Sequence, residues 1–148
     1  MPFLIPRSLV CATPFTQGHV EAAGAIGEIY YFGQGVAVDY KRALVAYKMG
    51  AEGGNAYCQY QRGWMLRDGE GVDSPDYKQA LMWFEKAAAQ DNKFAVEALG
   101  HLALEGLGQQ PSWRRTREYY QRAIELGDEH PRENMQHLNA LIQKVTPS

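Results

Sequence analysis

GWMLRDGEGVDSPDYKQALMWFEKAAAQDNKF, residues 63–94, decides the fold, because its landmarks return upstream and downstream at one interval. Gly27, Gly63 and Gly100 lie 36 and then 37 residues apart, and the pairs Gly33/Gly35, Gly69/Gly71 and Gly106/Gly108 repeat the same two steps. A period of this size belongs to helical solenoids, in which each unit buries its apolar face only against a neighbour. The stretch itself reads as the end of one helix, a glycine turn and a second helix. Asp76 is placed to cap the second helix, with Gln79 three residues on completing a capping box. Ala80, Leu81, Phe84, Ala87 and Ala88 form its buried stripe. One added residue around Ser74 and Pro75 explains the longer step.

Upstream, a helix is expected over residues 19–32, with Ala22, Ile26 and Tyr30 on its packing face beside Gly27. Gly33 and Gly35 end it, and Val36 is expected to plug the turn. Asp39 caps the next helix, whose stripe is Ala43, Leu44 and Tyr47, and Gly53 and Gly54 close it. In the second repeat Cys58, Gly63 and Leu66 take the places of Ala22, Gly27 and Tyr30, while Arg62 stands where Ile26 and Leu99 stand. Downstream, Ala95, Leu99, Gly100 and Ala103 mark the third repeat's first helix. Ser112 caps its second, and Tyr120, Ala123 and Ile124 give the stripe. Gln109 and Thr116 depart from the pattern, as expected near the end of an array. Pro131 opens a capping helix with Met135, Leu138, Ile142 and Val145 on one side.

Composition bounds what such an array can do. The chain of 148 residues has 45% hydrophobic residues, 22% charged residues and a formal net charge of −2, which is ordinary globular composition. Acidic balance disfavours nucleic acid and anionic lipid as general partners. Two cysteines, Cys11 and Cys58, make neither a metal motif nor a disulfide scaffold. The first fifteen residues lack a secretory pattern, and no run reaches the roughly 18–20 apolar residues of a membrane span. A cytoplasmic protein is the expectation, whether complete or part of a longer array.

Residues 54–92, GNAYCQYQRGWMLRDGEGVDSPDYKQALMWFEKAAAQDN, closely resemble the Sel-1-like repeat, a relative of the tetratricopeptide repeat. The shared pattern runs Ala, Leu-Gly, Tyr, Gly-x-Gly-Val, Ala, an aromatic, Ala-Ala and Gly. Departures are Arg62, the helical Gly24 and Gly50, and the eroded third turn. The resemblance implies an all-α, right-handed superhelix of three helix-pair repeats used as an interaction scaffold, in settings from signalling to protein quality control. The domain plan is a partly irregular segment 1–17, in which Leu9 and Val10 can cover the first repeat. Repeats follow over 18–53, 54–90 and 91–127, then a capping helix and tail over 128–148.

In stacked helix pairs the first helices line the concave side. The face they leave outside the packing stripe carries Glu21, Glu28 and Tyr31, then Tyr57, Tyr60, Trp64 and Arg67, then Phe94, Glu97, His101 and Leu104. Aromatic and arginine side chains are what binding hot spots use. The competing reading is that Tyr57 and Tyr60 pack against neighbouring first helices. Arg62 calls for a counter-charge, with Glu28, Glu97 and Asp68 as candidates, or a route to the groove. Trp113, Arg114, Arg115, Arg117 and Arg122 form the one basic cluster, with Tyr119 and Tyr120 interleaved. Pairing of Arg114 and of Arg122 with Glu118 at four-residue spacing is the ordinary reading.

The glycine pairs follow helices and no strand precedes them, so they do not form a phosphate cradle. His19, His101, His130 and His137 show no metal-ligand spacing, and no nucleophile elbow appears. No catalytic residue, metal or cofactor is expected. Some cysteine-rich bacterial members of the resembling family are linked to β-lactam binding or hydrolysis through cysteines paired within repeats, a pairing this sequence lacks. The expectation is a non-enzymatic adaptor holding a protein or peptide on its concave face. A small hydrolase or ligand-binding protein using the same groove is the alternative.

Overall fold

The computed structural model describes residues 14–146, with side chains from Gly18 onward. The expectations for Leu9, Val10 and the segment around them lie outside the described residues. Seven helices follow in order: α1 Pro14–Phe32, α2 Tyr40–Glu52, α3 Ala56–Asp68, α4 Tyr77–Ala88, α5 Lys93–Glu105, α6 Trp113–Glu125 and α7 Pro131–Val145. No strand occurs among the described residues. They divide into two compact units, one ending at Pro75 and the other starting at Asp76.

The turns obey the chemistry of their residues. Gly33, Gly35, Gly69, Gly71, Gly106 and Gly108 all have φ between 68° and 77°, the left-handed region that ends helices and that a side chain would disfavour. Asp39, Asp76 and Ser112 accept from the backbone N–H of Arg42, Gln79 and Arg115 respectively. Gln79 does not return the bond as a capping box requires; its side-chain amide donates to the Asp76 carboxylate at 3.0 Å instead. The first and third helix pairs are also closed by their caps, since Asp39 N–H donates to the Tyr30 carbonyl and Ser112 N–H to that of Ala103. Val36 does not plug its turn and is exposed.

In the first unit α2 packs against both α1 and α3. Ala43, Leu44 and Tyr47 are buried as expected. A Cβ on Gly27 would fall 2.5 Å from the Tyr47 ring, so the glycine makes a seat for it. Gly24 and Gly50, which break the repeat pattern, make room for one sulfur: Cβ atoms there would lie 3.2 and 2.3 Å from Cys58 Sγ. Burial pushes the Cys58 thiol up to about 11. The packing face of α1 differs from expectation, because Ala22 and Ile26 are exposed and Ala23, Gly24 and Gly27 are buried. Ile26 is 45% exposed, whereas Leu99, its counterpart, is 1% exposed. Leu99 is enclosed in a unit where α4 packs on α5; among the described residues no helix takes α4's place beside α1. Ile26 lines a cavity of about 450 Å³ with Val45 and Met49 of α2.

In the second unit α5 packs against α4 and α6, and α6 against α7. Its core includes Phe84, Val96, Leu99, Leu102 and Tyr120. Trp83 is buried on α4 where Leu81 was expected, and Leu81 is half-buried. The Tyr120 ring sits on Gly100 as Tyr47 sits on Gly27, with a Cβ on Gly100 falling 2.6 Å from it. Thr116 is fully buried and still fits, because its hydroxyl donates to the Ser112 carbonyl. On α7, Leu138 is buried but Val145 is 80% exposed, so the apolar stripe outlasts its contact.

Candidate protein-binding face

Within the first unit, α1 and α3 present their non-packing sides together. Asn55, unrecognised in the sequence, caps α3 by accepting from Cys58 N–H, and so fixes the helix carrying the aromatics. Tyr57 donates from its hydroxyl to Glu28 at 2.7 Å and accepts from Gln61 at 2.7 Å. It also meets Tyr47 edge-on, with ring centroids 6.3 Å apart. Tyr57 therefore bridges neighbouring first helices, and burial with the Glu28 bond raises its pKa. Tyr31 donates to Glu70 and is pushed up to about 12 by burial and that carboxylate.

Farther along α3, Tyr60 and Trp64 lie with ring centroids 6.1 Å apart, and the Arg67 guanidinium stacks 4.9 Å over the Trp64 ring. All three are partly buried, and Glu21 is exposed. Arg62 is half-buried on the same helix. Its guanidinium donates to the Leu44 carbonyl at 3.4 Å, and Glu52 is the carboxylate that acts on it. Burial lowers its pKa, Glu52 opposing.

In the second unit, Asn92 caps α5 by accepting from Ala95 N–H. Phe94 and Leu104 are exposed, with the Lys93 ammonium 5.2 Å from the Phe94 ring centroid. Glu97 and His101 turn toward each other, His101 Nε2 lying 3.6 Å from Glu97 Oε1. The Tyr120 hydroxyl is 3.0 Å from His101 Nδ1. Tyr120 is pushed up to about 12 by burial and by Glu97 and Glu105.

Three side chains that the sequence reading kept apart meet here. One carboxylate oxygen each of Glu97 and Asp128 and a ring nitrogen of His130 lie within 4.8 Å of one another. Asp128 stands in the repeat where Asn55 and Asn92 stand in the earlier ones, although the N-cap of α7 is His130, and that substitution was the one signal available. Burial, then Asp128, raises the Glu97 pKa, with His101 and His130 opposing.

The basic cluster on α6 is dispersed. Arg114 pairs with Glu118 as expected, at 3.4 Å. Arg122 instead reaches α4, donating to the Ala88 carbonyl and pairing with Asp91 at 3.2 Å, where a helix C-terminus favours a cation. Arg115 donates to Gln109, and Tyr120 is buried.

The Sel1 repeat profile matches residues 20–55, 56–92 and 94–128. Over 75 residues the chain is 35% identical to the ERAD-associated E3 ubiquitin-protein ligase component HRD3B of Arabidopsis thaliana, and 32% to HRD3A. Those alignments cover 51% of this chain but only 12% and 11% of the relatives' lengths. Among solved structures, a Sel1 repeat protein from Oxalobacter formigenes is 31% identical with a TM-score of 0.74, covering 86% of this chain and 52% of that one. A protective antigen of uropathogenic Escherichia coli with an SLR fold is 33% identical with a TM-score of 0.72, covering 76% of this chain and 24% of that one. Proteins of this kind generally mediate protein–protein interaction and are typically non-enzymatic scaffolds. No helix among the described residues is long and apolar enough to cross a membrane. With three consecutive repeats matched across most of its length, the chain belongs to the Sel1 repeat family.

Proposed function

We propose that this protein is an adaptor that holds a segment of another protein on the face presented by the first helices of its repeats. The observation that carries this reading is the Tyr60–Trp64–Arg67 group on α3. Its rings and guanidinium are stacked and held in place, yet only partly buried and outside the glycine seats that join the helices. Prearranged aromatic and arginine side chains lose little freedom on binding and are the residue types that dominate interface energies. Glu21, Glu28, Tyr31 and Tyr57 extend the proposed surface within the first unit, along α1 and α3, and Phe94, Glu97, His101 and Leu104 are its proposed counterparts on α5 in the second. Tyr57 and Glu28 already satisfy one another, so they shape the surface more than they anchor a ligand. Helical repeat scaffolds bind extended segments or amphipathic helices by such apolar anchors.

Photocrosslinking tests which face is used. A benzophenone amino acid placed at Tyr60 or Phe94 is expected to trap a discrete protein adduct in cells, and one placed at Arg114 on α6 is not. Equal adducts from Arg114, or adducts from that position alone, would move the binding surface off the first helices.

A further inference from the structure

We propose that Glu97, Asp128 and His130 form a binding site for a divalent transition-metal cation of zinc-like preference. This site is independent of partner capture, although Glu97 also belongs to the proposed partner face. The argument begins with Asp128. At the matching positions Asn55 and Asn92 cap their helices with a neutral amide oxygen. Asp128 lies two residues ahead of the α7 N-cap, His130, and closes a tighter turn, its Oδ1 accepting from the His130 backbone N–H at 3.2 Å. An asparagine would suffice for that bond.

The acid brings a charge into a place that is only 2% exposed. Its second oxygen, Oδ2, is buried and has no hydrogen-bond partner. A buried carboxylate oxygen without a partner is costly unless a cation or donor meets it. The nearest additional acid makes matters worse, since the half-buried Glu97 contributes a second carboxylate to the same cluster. The imidazole of His130 closes the triangle, with Nδ1 3.2 Å from Asp128 Oδ1.

Two carboxylate oxygens and one imidazole nitrogen within 4.8 Å of each other are a donor set that suits zinc, which takes nitrogen and oxygen ligands and accepts a water in a fourth position. Magnesium and calcium want six or more oxygen ligands and fit it poorly. The surroundings complete the arrangement. Tyr120 bonds His101, and His101 faces Glu97, so a ligand carboxylate is oriented from behind, as metal ligands commonly are. His130 is exposed and offers the route in. The three ligands come from α5, the loop after α6 and the residue preceding α7, so a bound cation ties these segments together.

The test is calorimetric titration of tag-free, chelator-stripped protein with zinc chloride, with melting temperature followed in parallel. One zinc per chain and a raised melting temperature are expected. Asp128→Asn, which keeps an oxygen for the His130 N–H, and His130→Ala, at an exposed position, should each weaken zinc binding at least about tenfold without lowering metal-free melting. His137→Ala, outside the cluster, should leave binding unchanged. Absence of zinc binding, binding that survives both ligand substitutions, or equal binding of magnesium would overturn the proposal. Should Asp128→Asn fail to fold, His130→Ala decides by itself.

Discussion

Gly27 lies under the Tyr47 ring in the first repeat and Gly100 under the Tyr120 ring in the third, so the two helix pairs share one joint. They differ in what flanks them. Leu99 is enclosed, and Gly108 in the third turn abuts the Tyr77 backbone. The matching Ile26 is nearly half exposed, and a Cβ on Gly35 would meet open space. The same sequence signal thus has two energetic meanings. The helix hairpin is specified within a repeat, while the value of its flanking positions depends on whether another repeat lies beside them, as expected for a quasi-one-dimensional array.

Substitutions at paired positions sharpen that contrast. Leu99→Ala should destabilise by about 2–5 kcal/mol, the usual cost of emptying a buried leucine site. Ile26→Ala, at a half-exposed position, should cost about 1 kcal/mol or less. Denaturant unfolding of the two variants measures the gap, and equal losses would mean that the α1 flank is as covered as that of α5.

The glycine turns give a smaller version of the comparison. Gly71 and Gly108 have φ of 77° and 71°, and a Cβ on either would fall 2.7 Å from the backbone carbonyl oxygen of Tyr40 or Tyr77. Backbone cannot move aside as a side chain does. Gly108→Ala should therefore combine left-handed strain with overlap and cost about 2–4 kcal/mol. Gly35→Ala, at φ 76° in open space, should show only the strain, about 1–2 kcal/mol. Thermal melts of both distinguish conformational preference from close approach. Similar shifts would break the distinction.

What was legible in the sequence follows this division. Helix caps and glycine turns depend on neighbours in the chain, so Asp39, Asp76 and Ser112 were read correctly as caps, and the glycine pairs as turns. The burial of Tyr47 and Tyr120 was expected from their helical stripes, whereas their seats on Gly27 and Gly100 came from the fold. Periodicity could not say what covers a face, and Ile26 and Val145 were accordingly placed inside when they are exposed. Long side chains were the other gap. Arg62 could reach several acids by sequence spacing, and only the fold shows it donating to the Leu44 carbonyl with Glu52 acting on it. Arg122 likewise reaches α4 when i,i+4 spacing pointed to Glu118. Gly24 and Gly50 looked like irregularities because their common reason, the Cys58 sulfur, is carried by a third helix. The Glu97, Asp128 and His130 cluster escaped a search by spacing for a similar reason, since Glu97 lies on a helix far in the chain from the Asp128 and His130 pair.

The central claim is that the joints hold the helices while the stacked aromatics of α3 remain available to a partner. Trp64→Ala measured in two ways tests it most directly, by thermal unfolding and by affinity for the protein trapped at the Tyr60 crosslink. We expect a stability loss of about 1 kcal/mol, from the ring and cation contacts with Tyr60 and Arg67, and at least a tenfold loss of affinity. A large drop in stability with affinity unchanged among the folded molecules would make Trp64 a core residue and contradict the claim.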